Sequence, residues 1–428
     1  MFPRRKPIIT AIEIGSSKIC VLVGESQETD ENIVVLGRGE VSSSGAVLKG
    51  EIIDMDRAIT LLSNALDQAD EASGKKISES IFIGVGITNS GIASSQNIGS
   101  TLTSSPDAVI SADDITAAGK NAKPVHLPYD RIQLDSYCSY FLLDEGRRVS
   151  DPSGQISRKL DAYVHVIHGD ANRVASFTKL INDCGIGDEN NVYPLFCGTA
   201  AAYCILTDEE KSNGVIFVDM GAGVTEYVVV HNSGVMASGV VPVGFEHIAN
   251  DLSLVLNLHI DTCRKMIVDG TITTMITQGR GFIEQKDFNG RDVKIPLLSF
   301  EKIIDERLRE TFEIIKSRVA KEVPLRNLSS GGVLTGGGAL FPRTADVFHS
   351  VFECPVRIGK PFDASGAITN LESPRYSTVW GILKCSNFHL RTGRVESGGI
   401  TDAAANMLDH VAGNLWHGIR NVWNSLKV

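Results

Sequence analysis

No C-x-x-C pair occurs among the eight cysteines, and no H-E-x-x-H among the ten histidines. Scattered thiols without metal spacing argue against a zinc or redox centre and suit a reducing compartment. His165 and His168 stand three apart, but the strand-like residues around them favour ordinary placement over metal binding. Blocks of basic residues are also missing. With a net charge of −10, nucleic acid is not expected as a partner. No apolar run reaches the roughly 18 residues that a membrane-spanning helix needs. The basic start Met1-Phe2-Pro3-Arg4-Arg5-Lys6 leads into an apolar stretch broken at Glu13, so it is not expected to serve as a signal peptide.

What remains is a chain of 428 residues, 43% hydrophobic, able to bury one large core or two lobes. Two stretches share a design: Ile12-Glu13-Ile14-Gly15-Ser16-Ser17-Lys18 and Val218-Asp219-Met220-Gly221-Ala222-Gly223-Val224-Thr225. Each follows an apolar run, sets a carboxylate two residues before a glycine, and leads into another apolar strand. Small residues at such a bend let backbone N–H groups approach a phosphate. A carboxylate at the strand end can hold a hydrated Mg²⁺, which takes only one or two protein carboxylates. Either stretch alone reads more readily as an ordinary hairpin. A third piece, Gly331-Gly332-Val333-Leu334-Thr335-Gly336-Gly337-Gly338-Ala339-Leu340-Phe341-Pro342, runs a strand into three glycines and a helix start, where bare backbone can lie against a base or ribose. In the order hairpin, hairpin, strand–GGG–helix, the chain resembles the α/β fold shared by actin, sugar kinases and Hsp70: two lobes around a nucleotide cleft.

Between these markers the pattern predicts a strand over Ile33–Glu40, a helix capped by Asp54 with Ile59, Leu62, Leu66 and Ala69 on one face, and a buried strand at Ile81–Val85. Residues 86–164 change character, with small polar residues around short strands, a helix begun by Asp113-Asp114 and ended before Lys123-Pro124, and strands over Arg131–Leu143 and Leu160–Ile167. A stretch this long is read as an inserted domain rather than a loop. An amphipathic helix follows, with Val174, Phe177, Leu180 and Ile181 on one face and Gly185 as its C′ residue. After the strand Val192–Leu195, the Ala-rich helix Gly198–Leu206 crosses to the second lobe. Val240–Glu246 is expected to end a strand and open a helix whose free N–H groups could face a phosphate. The helix Phe300–Val319 carries Arg307 and Glu310 one turn apart, which reads as a surface contact or a nucleotide contact. Pro374–Leu383 reads as a helix returning to the first lobe.

The C-terminal end reads as a glycine-containing linker from Arg391, followed by a helix capped at Thr401. Leu408, Val411, Leu415, Trp416, Ile419, Val422, Trp423 and Leu426 form one apolar stripe, with Asn414, His417, Arg420, Asn421, Asn424 and Lys427 away from it. Two tryptophans on that stripe suit the headgroup boundary of a bilayer. A docked terminal helix and a short coiled coil are the other readings. Six apolar residues at roughly 1.5 kcal/mol each give an upper bound of about 9 kcal/mol. Ordering the helix, with Gly413 and Gly418 near it, takes back much of this. One such helix binds membrane weakly, whereas several on one polymer bind well.

Taken together, residues 8 to 428 resemble the FtsA family, the actin homologues of bacterial cell division. Besides the elements above, the resemblance rests on Pro128-Tyr129-Asp130-Arg131, Asp151-Pro152-Ser153-Gly154 and Leu160-Asp161-Ala162 in the insert, on Pro242-Val243-Gly244, and on Arg307-Leu308-Arg309-Glu310. It implies a first lobe from 1–85, 165–205 and 373–390, an inserted subdomain at 86–164, and a second lobe from 206–250 and 331–372. It further implies a small subdomain at 251–330, a linker at 391–413 and a membrane-targeting helix at 414–428 carrying Leu415, Trp416, Ile419, Val422, Trp423 and Leu426. ATP and Mg²⁺ are the implied cofactors. Gly15, Ser16, Ser17 and Lys18 would hold phosphate, with Asp219, Gly221, Ala222, Gly223 and Thr225 opposite them. Glu13 and Asp219 would hold Mg²⁺ through water; Gly336, Gly337 and Gly338 would meet the nucleoside, and Gly244, Arg307 and Glu310 would surround ribose and base. The implied partners are the C-terminal peptide of FtsZ, further copies of the chain in filaments, membrane lipid and other division proteins, on the cytoplasmic side of the inner membrane. Glu13 stands where the family usually has Asp, Ala222 where it has Gly, and Glu226 where Asp is common. With those departures and no residue that reads as a catalytic base, ATP binding with weak or no hydrolysis is expected. A pilus-assembly actin homologue and a small-molecule kinase of the same fold are the alternative readings.

Overall fold

The computed structural model describes residues 6–27, 33–122, 127–144, 146–187, 191–279, 281–363, 365–366 and 371–391. Most of the basic start, the linker beyond Arg391 and the whole expected membrane helix, with Leu415, Trp416, Ile419, Val422, Trp423 and Leu426, lie outside the described residues.

The chain opens with β1 (Ile8–Ile14), β2 (Lys18–Ser26) and β3 (Ile33–Ser42), then crosses through α1 (Met55–Ser73) to β4 (Phe82–Ile87). It leaves for β5 (Ala93–Leu102), α2 (Ala112–Asn121), β6 (Arg131–Leu143), β7 (Arg147–Val149) and β8 (Lys159–Asp170). It returns through α3 (Ala171–Asp183), β9 (Val192–Phe196) and α4 (Cys197–Ile205). The second half runs β10 (Val215–Met220), β11 (Thr225–His231), β12 (Gly234–Val241), α5 (Phe245–Leu256), α6 (Ile260–Val268), α7 (Thr271–Thr277), β13 (Phe282–Lys286), β14 (Asp292–Pro296) and α8 (Leu297–Glu322). It continues with β15 (Gly332–Thr335), α9 (Pro342–Phe352), β16 (Val356–Ile358) and α10 (Ser377–Arg391).

Two sheets repeat one plan. In the first, β3-β2-β1-β4-β9 lie side by side; in the second, β12-β11-β10-β15-β16. In both, the first three strands form an antiparallel meander and the last two join the central strand in parallel. The central strands are apolar and almost wholly buried, as strands covered on both faces must be. Sequence cues are met at the ends of elements: the Asp54 carboxylate accepts from the Arg57 N–H (3.0 Å) to start α1, and Gly185 follows α3 with φ +71°.

The insert is a four-stranded sheet, β5-β8-β6-β7, with α2 on one face and a small core of its own built on Ile115, Phe141, Leu160 and Val164. The boundary expected at Val164 falls inside β8, which stays paired with β6 as far as Asp170 and there caps α3 directly. The boundary expected at residue 250 falls inside α5 for the same reason: the element continues without a break. Pro374–Leu383 begins as a single tight turn and becomes helical only at Ser377, and that helix takes in Arg391. His165 and His168 have separate partners. The ring Nε2 of His165 meets Ser238 Oγ at 2.8 Å, while His168 Nδ1 accepts from Arg131 Nε at 2.9 Å.

The insert touches both halves. Asp135 on β6 accepts from the Phe196 N–H (3.3 Å) and the Thr199 hydroxyl (3.1 Å), capping α4, and Ser139 donates to the Val235 carbonyl of β12 (2.6 Å). Between the sheets α4 and α10 pack closely, as the small residues of α4 permit. A Cβ placed on Gly381 would lie 2.2 Å from the Ala200 carbonyl oxygen. Gly381→Ala is therefore expected to lower stability. A helix-propensity gain of about 1 kcal/mol is set against overpacking of about 3 kcal/mol on rigid backbone, for a net loss near 2 kcal/mol. Urea unfolding of the two proteins checks it, and an unchanged midpoint would show that the helices can part at no cost.

Candidate functional site

Two turns of identical construction face each other where the sheets meet. In the first, the Gly15 N–H closes onto the Lys18 carbonyl (2.9 Å); in the second, Gly221 closes onto Val224 (3.0 Å). A Cβ on Gly223 would fall 2.3 Å from Ser16 Oγ, so the tips are in direct opposition. Ser16 Oγ itself accepts from the Gly50 N–H (3.2 Å), and the Gly15 carbonyl accepts from the Ser43 hydroxyl (2.5 Å). Ala222, the departure from glycine in the second turn, does not take a positive φ, so its side chain meets no backbone penalty.

Behind the turns lie the carboxylates. Glu13 receives Lys18 Nζ at 2.7 Å, and Asp219 Oδ2 receives the Thr378 hydroxyl at 2.7 Å. Glu226 pairs across the strands with Asp219, and its Oε1 is buried with no hydrogen-bond partner among the described residues. Burial pushes the Asp219 carboxyl up to about 6, with the Glu13 charge adding to the rise and Thr378 and Lys18 opposing it. Burial and then the nearby Asp219 raise Glu226 further. For Lys18, burial works against its charge, but Glu13 and other neighbours outweigh it and hold the ammonium above the ordinary lysine value. Two buried acids and a half-buried one beside a single lysine leave an excess of negative charge that a hydrated divalent cation matches in sign and in donor type.

The glycine-rich third piece closes the other side. Gly336 sits at φ +82°, and a Cβ there would come within 2.2 Å of Asp219 Oδ1. A Cβ on Gly338 would strike the Phe245 ring at 2.4 Å, whereas one on Gly337 would meet only open space. Thr335 bonds to Ser377 (2.6 Å), and the Gly336 N–H donates to the Pro374 carbonyl (3.2 Å), which fastens this piece to the start of α10. Arg307 makes two bonds to Asp251 (2.6 and 2.9 Å) and one to Glu310 (2.5 Å). Hydrogen bonding to Asp251 raises its already high pKa. Asp251 lies on α5, the helix that Gly244 precedes, so Gly244, Arg307 and Glu310 belong to one wall.

Several expected roles change. The N–H groups at the start of α5 are not free: Phe245 donates to Gly221 (3.1 Å), Glu246 to Ala222 (2.9 Å) and Gly244 to His247 Nδ1 (3.2 Å). The Thr225 hydroxyl is fully buried and donates to the Val243 carbonyl (2.7 Å), holding the strand–helix junction rather than facing the cleft. Lys18 is committed to Glu13. Ser17 is exposed and contributes its carbonyl to Ser43 (3.1 Å). The residues that the sequence reading missed are Thr378, Asp251 and His247. Thr378 lies in the quoted Pro374–Leu383 stretch, but nothing local marks its hydroxyl for a carboxylate so far away in the chain.

The comparisons agree in one direction. The family model described as "Cell division protein FtsA" matches residues 216–381, and that for the "SHS2 domain inserted in FTSA" matches residues 90–168. The cell division protein FtsA of Neisseria meningitidis serogroup B is 30% identical over 381 residues, covering 88% of this chain and 89% of that protein. FtsA of Borreliella burgdorferi is 27% identical over 386 residues, with 88% and 90% covered. Among solved structures, the PilM–PilN type IV pilus biogenesis complex matches with a TM-score of 0.56 and 14% identity over 90% of this chain and 99% of that one. MreB5 of Spiroplasma citri bound to AMPPNP matches with a TM-score of 0.51 and 11% identity, over 90% and 96%. These two likenesses establish an actin-like fold.

The acid cluster makes a prediction on stability. Because Asp219 has a folded-state pKa of about 6, above its unfolded value near 3.8, its ionisation opposes folding. The penalty is absent below the unfolded value, grows as pH rises through the window between the two, and is constant above it. Asp219→Asn should thus be more stable than the parent without ligand at pH 7.5, by on the order of 1–3 kcal/mol, with the gap narrowing toward pH 4.5. Urea titrations at the two pH values test this, and a gap that is flat with pH contradicts it.

Proposed function

The chain belongs to the FtsA family of cell division proteins, and from that premise we propose that it binds ATP in the cleft, polymerises, and tethers the FtsZ ring to the inner face of the cytoplasmic membrane. The observation that carries the nucleotide part is the pair of matched glycine turns in opposition, each with a carboxylate behind it, half-buried at Glu13 and buried at Asp219. Backbone N–H groups at Ser16, Ser17, Ala222 and Gly223 are suited to phosphate oxygens, because small residues leave the backbone approachable. Glu13 and Asp219 would hold Mg²⁺ through its waters, and the ion when bound supplies the positive charge that the acid cluster and the phosphates lack. Gly337, with open space above it, and the Arg307–Glu310–Asp251 wall would receive the nucleoside. Thr378 keeps one lone pair of Asp219 occupied, so that this carboxylate is fixed in one orientation. In keeping with a sequence in which no residue reads as a catalytic base, the reading is a nucleotide-binding role with weak or no hydrolysis.

The membrane part rests on the apolar stripe from Leu415 to Leu426, and the partner assignments rest on the family. Filaments would multiply a weak tail contact into a stable one. The pilus reading is not favoured: the family models and curated relatives point to cell division, while the pilus complex shares the fold at low identity.

Co-sedimentation with anionic liposomes tests the tether. Full-length protein with MgATP should pellet with the vesicles. A chain ending at Gly413, or one carrying Trp416→Glu with Trp423→Glu, should lose most of the bound fraction. Addition of FtsZ, or a peptide of its C-terminal residues, should bring FtsZ or peptide down only with the intact chain. Equal sedimentation by the truncated chain would assign the tail to docking or pairing instead.

A further inference from the structure

A short hairpin that neither phosphate turn includes lies at the point where the two turns meet. Val47–Leu48 and Glu51–Ile52 pair antiparallel, and Lys49 and Gly50 form the two-residue tip with φ of +51° and +73°. Both central residues in the left-handed region define the tight turn that suits a right-twisted hairpin. Gly50 is required there, because a Cβ would sit 1.9 Å from the Thr88 carbonyl oxygen. Its N–H donates to Ser16 Oγ (3.2 Å), tying the tip to the first turn. On the other side, a Cβ on Gly223 would lie 2.9 Å from both Lys49 N and Lys49 Cα, so the tip abuts the second turn as well. The backbone of Lys49 is thus fixed between the turns from the two lobes.

The charge on that residue is uncommitted. Lys49 is exposed, and among the described residues no carboxylate pairs with it. The nearest acid in sequence, Glu51, is engaged with Arg173 and Ser90. Lys18, by contrast, is buried against Glu13. The Lys49 ammonium is also felt by the second lobe, since after burial it is the next cause of the lowered pKa of His247 in the first turn of α5.

We propose that Lys49 is a phosphate ligand of the cleft and supplies the positive charge for the terminal phosphate of a nucleoside triphosphate held between the turns. This rests on the nucleotide reading above and deepens it. An ammonium on a flexible stem, with its backbone fixed where the turns converge, can meet an added phosphate oxygen with a charge-assisted hydrogen bond. A diphosphate leaves that oxygen out, so the contact distinguishes triphosphate from diphosphate.

Calorimetric titration of the full-length protein with MgADP and with the Mg²⁺ complex of a non-hydrolysable ATP analogue tests the proposal. Lys49→Met should weaken the triphosphate analogue roughly tenfold or more while changing MgADP affinity little. Lys49→Arg should retain most of the preference, and Lys49→Glu should lose more than Lys49→Met. Melting of the nucleotide-free variants should match the parent, since the side chain is exposed and unpaired. An unchanged triphosphate-to-diphosphate ratio in Lys49→Met, or an equal loss for both ligands, overturns the assignment while leaving the nucleotide reading intact. A parent protein that binds neither ligand overturns the nucleotide reading and this assignment together.

Discussion

The hydrogen bond from Thr378 to Asp219 links the two halves of the molecule at the buried carboxylate behind the second glycine turn. Around it, Ser377 bonds to Thr335 and the Pro374 carbonyl receives the Gly336 N–H, so a single helical turn fastens the second sheet. On its other side Tyr376 lies under the charges of Lys18 and Arg38, with ammonium and guanidinium 5.4 and 4.8 Å from the ring centre. The start of α10 therefore reads both acids at once: Glu13 through Lys18, and Asp219 directly.

Electrostatic strain follows from the same arrangement. Backbone pairing in the second sheet sets Asp219 opposite Glu226, and the meeting of the two sheets puts the Glu13 charge within reach of both. Lys18 compensates one of the three, and the remaining charge is relieved by proton uptake or by a cation. Two of the three departures from the usual family residues are accommodated, while Glu226 keeps a buried Oε1 without a partner among the described residues. Glu13 is matched by Lys18, and Ala222 occupies a turn whose φ an alanine accepts.

The parts of the fold that were legible in the sequence are those whose cause is local. The apolar strands β1 and β10, the glycine turns that follow them, the Asp54 cap and the Gly185 stop each state their structure within a few residues. The insert was legible as a change in composition, but its end was not, because β8 passes into the cap of α3 without a turn residue to mark it. In the site, the glycine turns and their carboxylates were marked locally, while the partners that several of these residues find were not. Thr225 turns inward to Val243, and the first N–H groups of α5 are taken by Gly221, Ala222 and His247. Arg307 finds Asp251 56 residues away and Asp219 finds Thr378 159 residues away. No periodicity or short motif records partners at such separations.

The bond from Asp135 to the first turn of α4 has a consequence for how the chain could be taken apart. The insert has its own sheet and core, which suggests a module that can be lifted out or exchanged. Yet α4 has no side-chain cap of its own, and the carboxylate that meets its buried N–H end is borrowed from the insert. Excising residues 93–170 would leave the helix between the lobes with an open donor end next to buried apolar surface. A chimera would keep its bearings only if Asp135 and Thr199 were carried across as a pair. The insert is a keystone in the arch, although it looks like an ornament on it.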